Sequence, residues 1–190
     1  MSQQFDPESV PVQLAATVLV VDDRPDLQVL CLRRRAGSAF VGGMTVFPGG
    51  GLDEHDGLGG YEQRVRGLTA AEADARLGVD GALRYWVAAA RETFEEVGVL
   101  LARGSDGVLV GPRALEQRHA VDAGERTLLD VLEQEDLVLD LTEVHDIARW
   151  ITPVGPPRRY DTRFFVARMP QGQTPVADDT EAVHVEWRTP

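Results

Sequence analysis

The sequence predicts a single α/β domain in which helices pack against a mixed β-sheet. Short apolar runs typical of strands occur near both ends of the chain, at 14–21 and 160–168. Between them, residues 82–97 repeat apolar side chains at the spacing of an amphipathic helix. Strands on both sides of a helix, in mixed order, favour a layered α/β fold over a helix bundle or an all-β barrel. The length of 190 residues fits one domain with a sizeable core.

Composition and charge exclude several classes of partner. The chain has 19 basic and 31 acidic residues and a net charge of −12, so we expect neither nucleic-acid nor membrane-surface binding. The single cysteine, Cys31, excludes an intrachain disulfide and fits a reducing cytoplasm. Residues 1–11 lack the charged and apolar regions of a signal peptide, which also favours a cytoplasmic location. The histidines show no zinc-ligand spacing, so we expect no zinc site.

The first half of the chain is predicted to form a strand hairpin and a short helix. Residues 14–21 and 28–32 are the two strands, joined by a turn rich in aspartate. A glycine-rich, polar stretch begins at Gly57. Residues 69–77 then form a helix whose first turn is stabilised by a capping box of Thr69 and Glu72.

The second half is predicted to contain the long helix and several further elements. Asp80 caps the helix at about 82–97, and Gly98 stands where a C-terminal glycine belongs. The later elements are a strand at 99–102, helices at 112–121 and 125–133, and strands at 150–153, 160–168 and 184–187.

Three carboxylates are concentrated on one face of the long helix. At about 100° per residue, Glu92, Glu95 and Glu96 fall within an arc of roughly 100°. Apolar side chains occupy the other face, which can pack on a sheet. Like charges at this spacing repel each other, so the pattern indicates that something positive, such as a hard divalent cation, lies beside them. A solvated acidic face is the alternative from these residues alone.

Two further clusters are candidates for binding anions or approaching a ligand closely. Arg33, Arg34 and Arg35 form a basic run in an acidic protein, which is either a solvated strand end or a phosphate clamp. The glycine loop at 48–51 allows the backbone to approach a ligand, although such a loop is often only a turn.

Taken together, these residues resemble the signature of the Nudix hydrolases, G-x5-E-x7-R-E-U-x-E-E-x-G-U, where U is aliphatic. Gly50 begins the pattern, Asp56 stands at the first glutamate, and residues 91–99 match the second half. Thr93 replaces the first aliphatic residue. The spacing also departs from the pattern, because 34 residues, 57–90, lie where the family has seven.

The insertion inside the signature is similar to that of one branch, the peroxisomal coenzyme A diphosphatase and its bacterial relatives. Other motifs of this branch have counterparts at 30–34, 46–50, 150–153 and 159–165. The resemblance implies a Nudix-type α/β/α sandwich with a mixed β-sheet, formed by one domain at 1–190 with an insertion at about 57–80.

The resemblance implies hydrolysis of a diphosphate linkage in coenzyme A or acyl-coenzyme A, with Mg2+ or Mn2+ as cofactor. The implied metal ligands are the Gly50 carbonyl, Glu92, Glu95 and Glu96. Arg91 would orient a neighbouring glutamate, and the base that accepts the proton of water is Glu92, Glu95 or Glu181. The candidate phosphate contacts are Arg33, Arg34, Arg35 and Arg163.

Other functions and an assembly state stay open at this level. The substrate could instead be ADP-ribose, NADH or another nucleoside diphosphate derivative. An inactive ligand-binding module would be expected to lack the metal-binding glutamates, and all three are present. In the family a C-terminal helix follows the last strand, whereas this sequence ends at Pro190. We therefore expect either that such a helix lies outside this sequence or that the exposed sheet is covered in a homodimer.

Overall fold

The computed structural model describes residues 6–34, 43–178 and 182–190 of the chain. Its strands are β1 (Val12–Asp23), β2 (Leu27–Arg34), β3 (Thr45–Val46), β4 (Gly49–Gly51), β5 (Val65–Arg66), β6 (Ala102–Gly104), β7 (Leu137–Asp140), β8 (Val144–Ile151), β9 (Arg159–Arg168) and β10 (Ala182–Arg188). Its α-helices are α1 (Ala70–Leu77), α2 (Leu83–Val97), α3 (Pro112–Leu115), α4 (Arg118–Asp122) and α5 (Leu128–Gln134). Short 3-10 helices occupy Pro7–Ser9, Glu54–Gly57 and Gly59–Gln63.

The main sheet of the described chain has seven strands and is mixed. Five strands follow the order β10-β2-β1-β9-β8, while β3 pairs with β2 and β4 pairs with β1. Strands β1 and β9 run parallel over ten residue pairs, from Val12–Arg159 to Val21–Arg168. The other pairs of this sheet are antiparallel. The predicted α/β class with a mixed sheet is therefore confirmed.

Helix α2 packs its apolar side onto this sheet. The predicted apolar face is buried in full, since Leu83, Val87, Ala90, Phe94 and Val97 are at most 7% exposed. The ring of Trp86 also packs against Phe165 of β9, with 5.0 Å between ring centroids. Burying side chains of this size is the main stabilising term of such a layer.

The two ends of α2 test the capping predictions. Gly98 ends the helix in the left-handed conformation, at φ 67°, and its N–H donates to the Phe94 carbonyl, as predicted. The Asp80 cap is wrong. Helix α2 begins at Leu83 without a side-chain cap, and the Ala82 N–H donates instead to Oδ1 of Asp74 in the preceding helix, at 2.7 Å. Asp74, eight residues before Ala82, thus accepts the hydrogen bond that Asp80 was predicted to accept.

Several predicted boundaries also change. The strand predicted at 99–102 forms only at Ala102–Gly104, and the helix at 112–121 is broken into α3 and α4. Helix α5 begins three residues later than predicted, because Thr127 and Asp130 form a reciprocal capping box at that point. Strand β8 begins at Val144, well before the predicted start.

The segment inserted in the signature packs against the rest of the described chain. Strand β5 lies within it and pairs with β7 in a second, three-stranded sheet of order β5-β7-β6. Helix α1 has the predicted capping box of Thr69 and Glu72. Tyr61, at 2% exposure, and Leu77 belong to the same buried cluster as α2. No helix among the described residues is both long enough and apolar enough to cross a bilayer.

Candidate functional site

The glycine loop and helix α2 meet face to face beside β1. Strand β4 pairs with β1, and the Val18 N–H donates to the Pro48 carbonyl at 2.8 Å. The Gly49 N–H donates to Oε2 of Glu96 at 2.9 Å. A Cβ placed on Gly50 would lie 2.6 Å from the carboxylate atoms of Glu92. A side chain at position 50 would therefore have to displace the carboxylate of Glu92.

Arg91 lies at the centre of the acidic cluster. Its Nη1 donates to Oε1 of Glu92 at 2.8 Å and to Oε2 of Glu95 at 2.7 Å. Its Nη2 donates to the carbonyl of Gly51 at 2.9 Å. The clustered glutamates predicted a positive group beside them. For Glu92 and Glu95, that group is the Arg91 guanidinium of the same helix.

Asp56 anchors the other side of Arg91. Its two carboxylate oxygens accept hydrogen bonds from Nε and Nη2 at 2.9 and 3.1 Å. The carboxylate is 2% exposed and is also held by the N–H of Asp53 in a capping box. The two halves of the split signature are therefore joined by a buried, bidentate ion pair, despite the long insertion between them.

Burial and charge change the titration of this cluster. Burial alone would lower the pKa of the Arg91 guanidinium, but the bond to Asp56 and the charges of Glu92 and Glu95 outweigh it and raise that pKa. Burial raises the pKa of Glu95 to about 7, because desolvation outweighs the attraction of Arg91. The arginine stays charged, whereas desolvation favours the protonated form of Glu95.

The glutamates face two different cavities. Glu92 and Glu96 line a cavity of about 500 Å3 on the β1–β9 face of the sheet. Besides the three glycines of the loop, its wall includes Phe47, Arg158, Tyr160, Thr162 and Phe164. Glu95 lines a neighbouring cavity of about 300 Å3 together with Arg91, Tyr61 and Asp122. The single acidic face predicted from the helical wheel is therefore divided.

The larger cavity has the donors that a hard divalent cation prefers. The carboxylates of Glu92 and Glu96 line it beside the glycine loop, and carboxylate and backbone carbonyl oxygens are the ligands that such a cation takes. Among the described residues, no three His, Cys, Asp or Glu side chains are grouped closely enough to hold a metal ion. Glu95 lines the neighbouring cavity instead, so the oxygen donors available at this one are the carboxylates of Glu92 and Glu96 and the backbone of Gly50.

The predicted phosphate contacts are not brought together at the cavity. Arg33 is exposed on β2 beside Thr45 and does not line the cavity. Arg163 lies on the opposite face of β9, where its Nη2 donates to the Leu77 carbonyl and its guanidinium lies 6.0 Å from the Tyr85 ring. Its side chain is thus committed to α1 and α2. Arg35, Glu181 and the side chain of Arg34 lie outside the described residues.

The residues of β9 that do face the cavity were not predicted from the sequence. Side chains of a strand alternate between its two faces, so the burial of Phe165 against α2 places Tyr160, Thr162 and Phe164 on the cavity face. The same alternation places Arg163 with Phe165. The period of two was available from sequence, and it would have favoured Arg158 over Arg163 as the cationic wall.

Comparison with known proteins identifies relatives of this chain. Residues 60–190 match the model of the NUDT19 Nudix domain. The Acyl-coenzyme A diphosphatase NUDT19 of Homo sapiens is 30% identical over 200 residues, which cover 86% of this chain and 53% of the human protein. The protein of the same name from Gallus gallus is 26% identical over 206 residues, with coverages of 87% and 54%. The chain thus spans about half the length of the curated relatives it matches.

A solved structure is similar to the whole of this fold. The crystal structure of a NUDIX hydrolase from Alicyclobacillus acidocaldarius has a TM-score of 0.73 and 29% identity, and it covers 94% of this chain and 79% of that one. The predicted Nudix fold and the resemblance to the coenzyme A diphosphatase branch are therefore confirmed. Because the matched residues make up well over half of the chain and include Arg91 and the three glutamates, the chain belongs to the NUDT19 Nudix domain family.

Proposed function

We propose that the chain hydrolyses the diphosphate linkage of coenzyme A or acyl-coenzyme A, with Mg2+ or Mn2+ as cofactor. The observation behind the proposal is the approach of the Gly50 backbone to the Glu92 carboxylate at a cavity that Glu96 also lines. The human and chicken relatives carry the name Acyl-coenzyme A diphosphatase, which supports this choice of substrate.

Glu92, Glu96 and the Gly50 carbonyl are the proposed cation ligands. When bound there, the cation would neutralise diphosphate charge and acidify a water. The chain itself fixes the ligands beforehand, since the Gly49 N–H holds Glu96 and Arg91 holds Glu92. A carboxylate that is already oriented loses little conformational entropy when it binds a cation.

Arg91 and Asp56 are proposed to position the glutamates rather than to touch the substrate. Arg91 bonds Glu92 and Glu95 through one nitrogen, and Asp56 fixes the guanidinium plane from behind. The base that accepts the proton of the attacking water remains one of Glu92, Glu95 and Glu181. Glu181 lies outside the described residues; Asp178, the last described residue before it, donates its N–H to the Glu96 carbonyl at 3.0 Å.

The domain prediction is also kept as a proposal: one Nudix domain with an insertion at about 57–80. It is supported by the burial of Tyr61, Leu68 and Leu77 in the same cluster as α2, and by the pairing of β5 with β7.

The function is tested by measuring kcat/KM with Mg2+ or Mn2+ for coenzyme A, an acyl-coenzyme A, ADP-ribose and NADH. We expect the coenzyme A compounds to be the better substrates. Glu96→Gln should lower kcat by about a hundredfold or more, because it removes a ligand charge. Glu116→Gln, an exposed carboxylate on the segment after α3, is the matched control and should retain activity.

Two outcomes would contradict the proposal. A clear preference for ADP-ribose or NADH would move the chain to a different substrate class. If no compound were hydrolysed, while Glu96→Gln still bound them as the wild type does, the chain would be a ligand-binding module.

A further inference from the structure

We propose that Trp150 and Arg158 form a binding site for the nucleoside end of the substrate, with the base on the Trp150 ring and a phosphate outside the diphosphate on Arg158. The proposal rests on the function given above, because it assumes that the diphosphate lies at Glu92 and Glu96. Neither Trp150 nor Arg158 was among the site residues predicted from sequence.

The strand registers place Trp150 on the same face as the cavity. Gly51 pairs with Ala15, Ala15 pairs with Thr162, and Thr162 pairs with Trp150, across β4, β1, β9 and β8. Residues directly paired in this way have side chains on the same face of a sheet. Three of the four, Gly51, Ala15 and Thr162, line the cavity. Trp150 therefore extends the cavity face outward at the edge of the sheet.

The distance from Gly51 to Trp150, measured across the paired strands, fits the nucleoside half of the substrate. Three strand spacings separate Gly51 from Trp150, which amounts to about 14 Å. A substrate whose diphosphate lies at the loop of Gly50 can reach Trp150 with an extended nucleoside. The surface between them is lined by Thr162 and the aromatic ring of Tyr160, without an acidic side chain from β9 on that face.

Trp150 has the chemistry and the exposure that stacking requires. The residue is 64% exposed, which is the largest value among the large exposed hydrophobic residues of the described chain. Any nucleobase can stack on such a ring, because every base has a flat aromatic face. The edge strand β8 is also pinned from its other face, where Arg149 donates to both carboxylate oxygens of Asp161 at 2.7 and 2.6 Å. The indole is therefore presented on a fixed strand.

The position of Arg158 indicates which half of the substrate lies beside Trp150. Among the described residues it is the arginine that lines the cavity beside Glu92 and Glu96. Its neighbour Arg159 has a structural role, since Nε donates to the Thr152 carbonyl at 3.1 Å. Arg158 is exposed, and no hydrogen bond or ion pair to another described residue is seen for it. A guanidinium so placed complements the more anionic half of the substrate, which is the phosphorylated nucleoside rather than the pantetheine.

The first test compares coenzyme A with 3′-dephospho-coenzyme A in the full chain with Mg2+. For Arg158→Gln we expect the ratio of kcat/KM between the two substrates to fall by about tenfold, because only coenzyme A has the extra phosphate. For Trp150→Ala we expect KM to rise by about tenfold for both substrates with little change in kcat. The matched control for Arg158→Gln is Arg76→Gln on α1. The matched control for Trp150→Ala is Ile151→Ala, because Ile151 pairs with Asp161 on the face of the sheet opposite the cavity.

A second test does not depend on hydrolysis. Adenosine 3′,5′-bisphosphate should quench the tryptophan fluorescence of the wild type and of Ile151→Ala, but not that of Trp150→Ala. Trp86 is fully buried, and the Trp187 ring is covered by Arg24 at 4.3 Å, so neither should report this ligand. If no substrate is hydrolysed but the quenching pattern holds, the proposed function fails and the nucleoside site stands.

Three results would overturn the site. Arg158→Gln could lower kcat/KM equally for coenzyme A and its dephospho form. Quenching could be unchanged in Trp150→Ala. Alternatively, Trp150→Ala could convert a dimer to a monomer with unchanged KM, in which case the exposed indole belongs to an interface between two copies of the chain.

Discussion

The three consecutive glycines of β4 give the sharpest test of the site, because a methyl group at each would meet different atoms. On Gly49 a Cβ would lie 2.5 Å from the Ala16 carbonyl oxygen and 2.7 Å from the Thr17 Cα. On Gly50 it would lie 2.6 Å from the Glu92 carboxylate. On Gly51 its nearest neighbour would be the Leu14 carbonyl oxygen, at 3.9 Å, an ordinary contact.

These neighbours predict three separate results for alanine substitution. Gly49→Ala forces β4 away from the backbone of β1 and should cost about 3 kcal/mol of unfolding free energy, the upper range for overpacking. Gly50→Ala displaces only the end of a side chain, so its stability cost should stay below about 1 kcal/mol. Because Glu92 would then be misplaced by an ångström or more, kcat should fall about a hundredfold. Gly51→Ala should change stability by less than about 1 kcal/mol and leave activity intact.

Urea unfolding gives the stabilities, and kcat/KM for coenzyme A with Mg2+ gives the activities. A calorimetric titration of Gly50→Ala with Mn2+ should also show weaker binding than Gly51→Ala. Two results would contradict this role of Gly50: full activity of Gly50→Ala, or unfolding of Gly50→Ala as readily as Gly49→Ala together with loss of activity in Gly51→Ala. In the first case Gly50 and Glu92 would not act together, and in the second the loop would be only structural.

Two further predictions concern the charged pairs. Asp56→Ala should lower the unfolding free energy by about 3–5 kcal/mol in urea, because it leaves the buried Arg91 without its bidentate partner; a loss below about 1 kcal/mol would contradict this. Arg149 holds the pKa of Asp161 below its ordinary value of about 3.9, so the pair stabilises the fold above that pH and loses its effect as the pH falls through the lower, folded-state pKa. Wild type should therefore exceed Asp161→Asn in stability at pH 7 by about 1 kcal/mol or less, since Arg149 is half-exposed. The difference should shrink below about pH 4, and one that grew on acidification would be the wrong sign.

Helix α2 could be predicted from sequence because its determinants are local. Its apolar spacing predicts which residues are buried, and Gly98 predicts where the helix ends. Its start could not be predicted in the same way. Asp80 is the nearest carboxylate in sequence, but the N–H of Ala82 is satisfied by Asp74, which α1 brings close. Tertiary packing thus replaces a local cap.

Short strands were the least predictable part of the fold. Strands β3, β4 and β5 have two or three residues each, too few to show a period of two. Their positions depend on partners far along the chain, such as β7 for β5. The helix boundary at Leu128 was predictable in principle, because Thr127 and Asp130 have the spacing of a capping box.

The need for a positive group beside the three glutamates could be predicted from the sequence, but the group that supplies it could not. Three glutamates on one face predicted a positive group, and Arg91, which was expected only to orient one glutamate, bonds both Glu92 and Glu95. Burial at Asp56 could not be read from the sequence, since a carboxylate in a glycine-rich turn is usually solvated. The homodimer and the choice between Mg2+ and Mn2+ stay predictions.

The position of the insertion indicates that residues outside it select the substrate. Residues 57–80 lie within the signature, which suggests a role at the site. In the structure Tyr61 of this segment lines the cavity at Glu95, while no described residue of 57–80 lines the cavity at Glu92 and Glu96. Strand β9 and Arg158 supply that wall instead. If the diphosphate lies at Glu92 and Glu96, selectivity should therefore respond to substitutions at the β8–β9 end of the sheet more than to changes in the insertion.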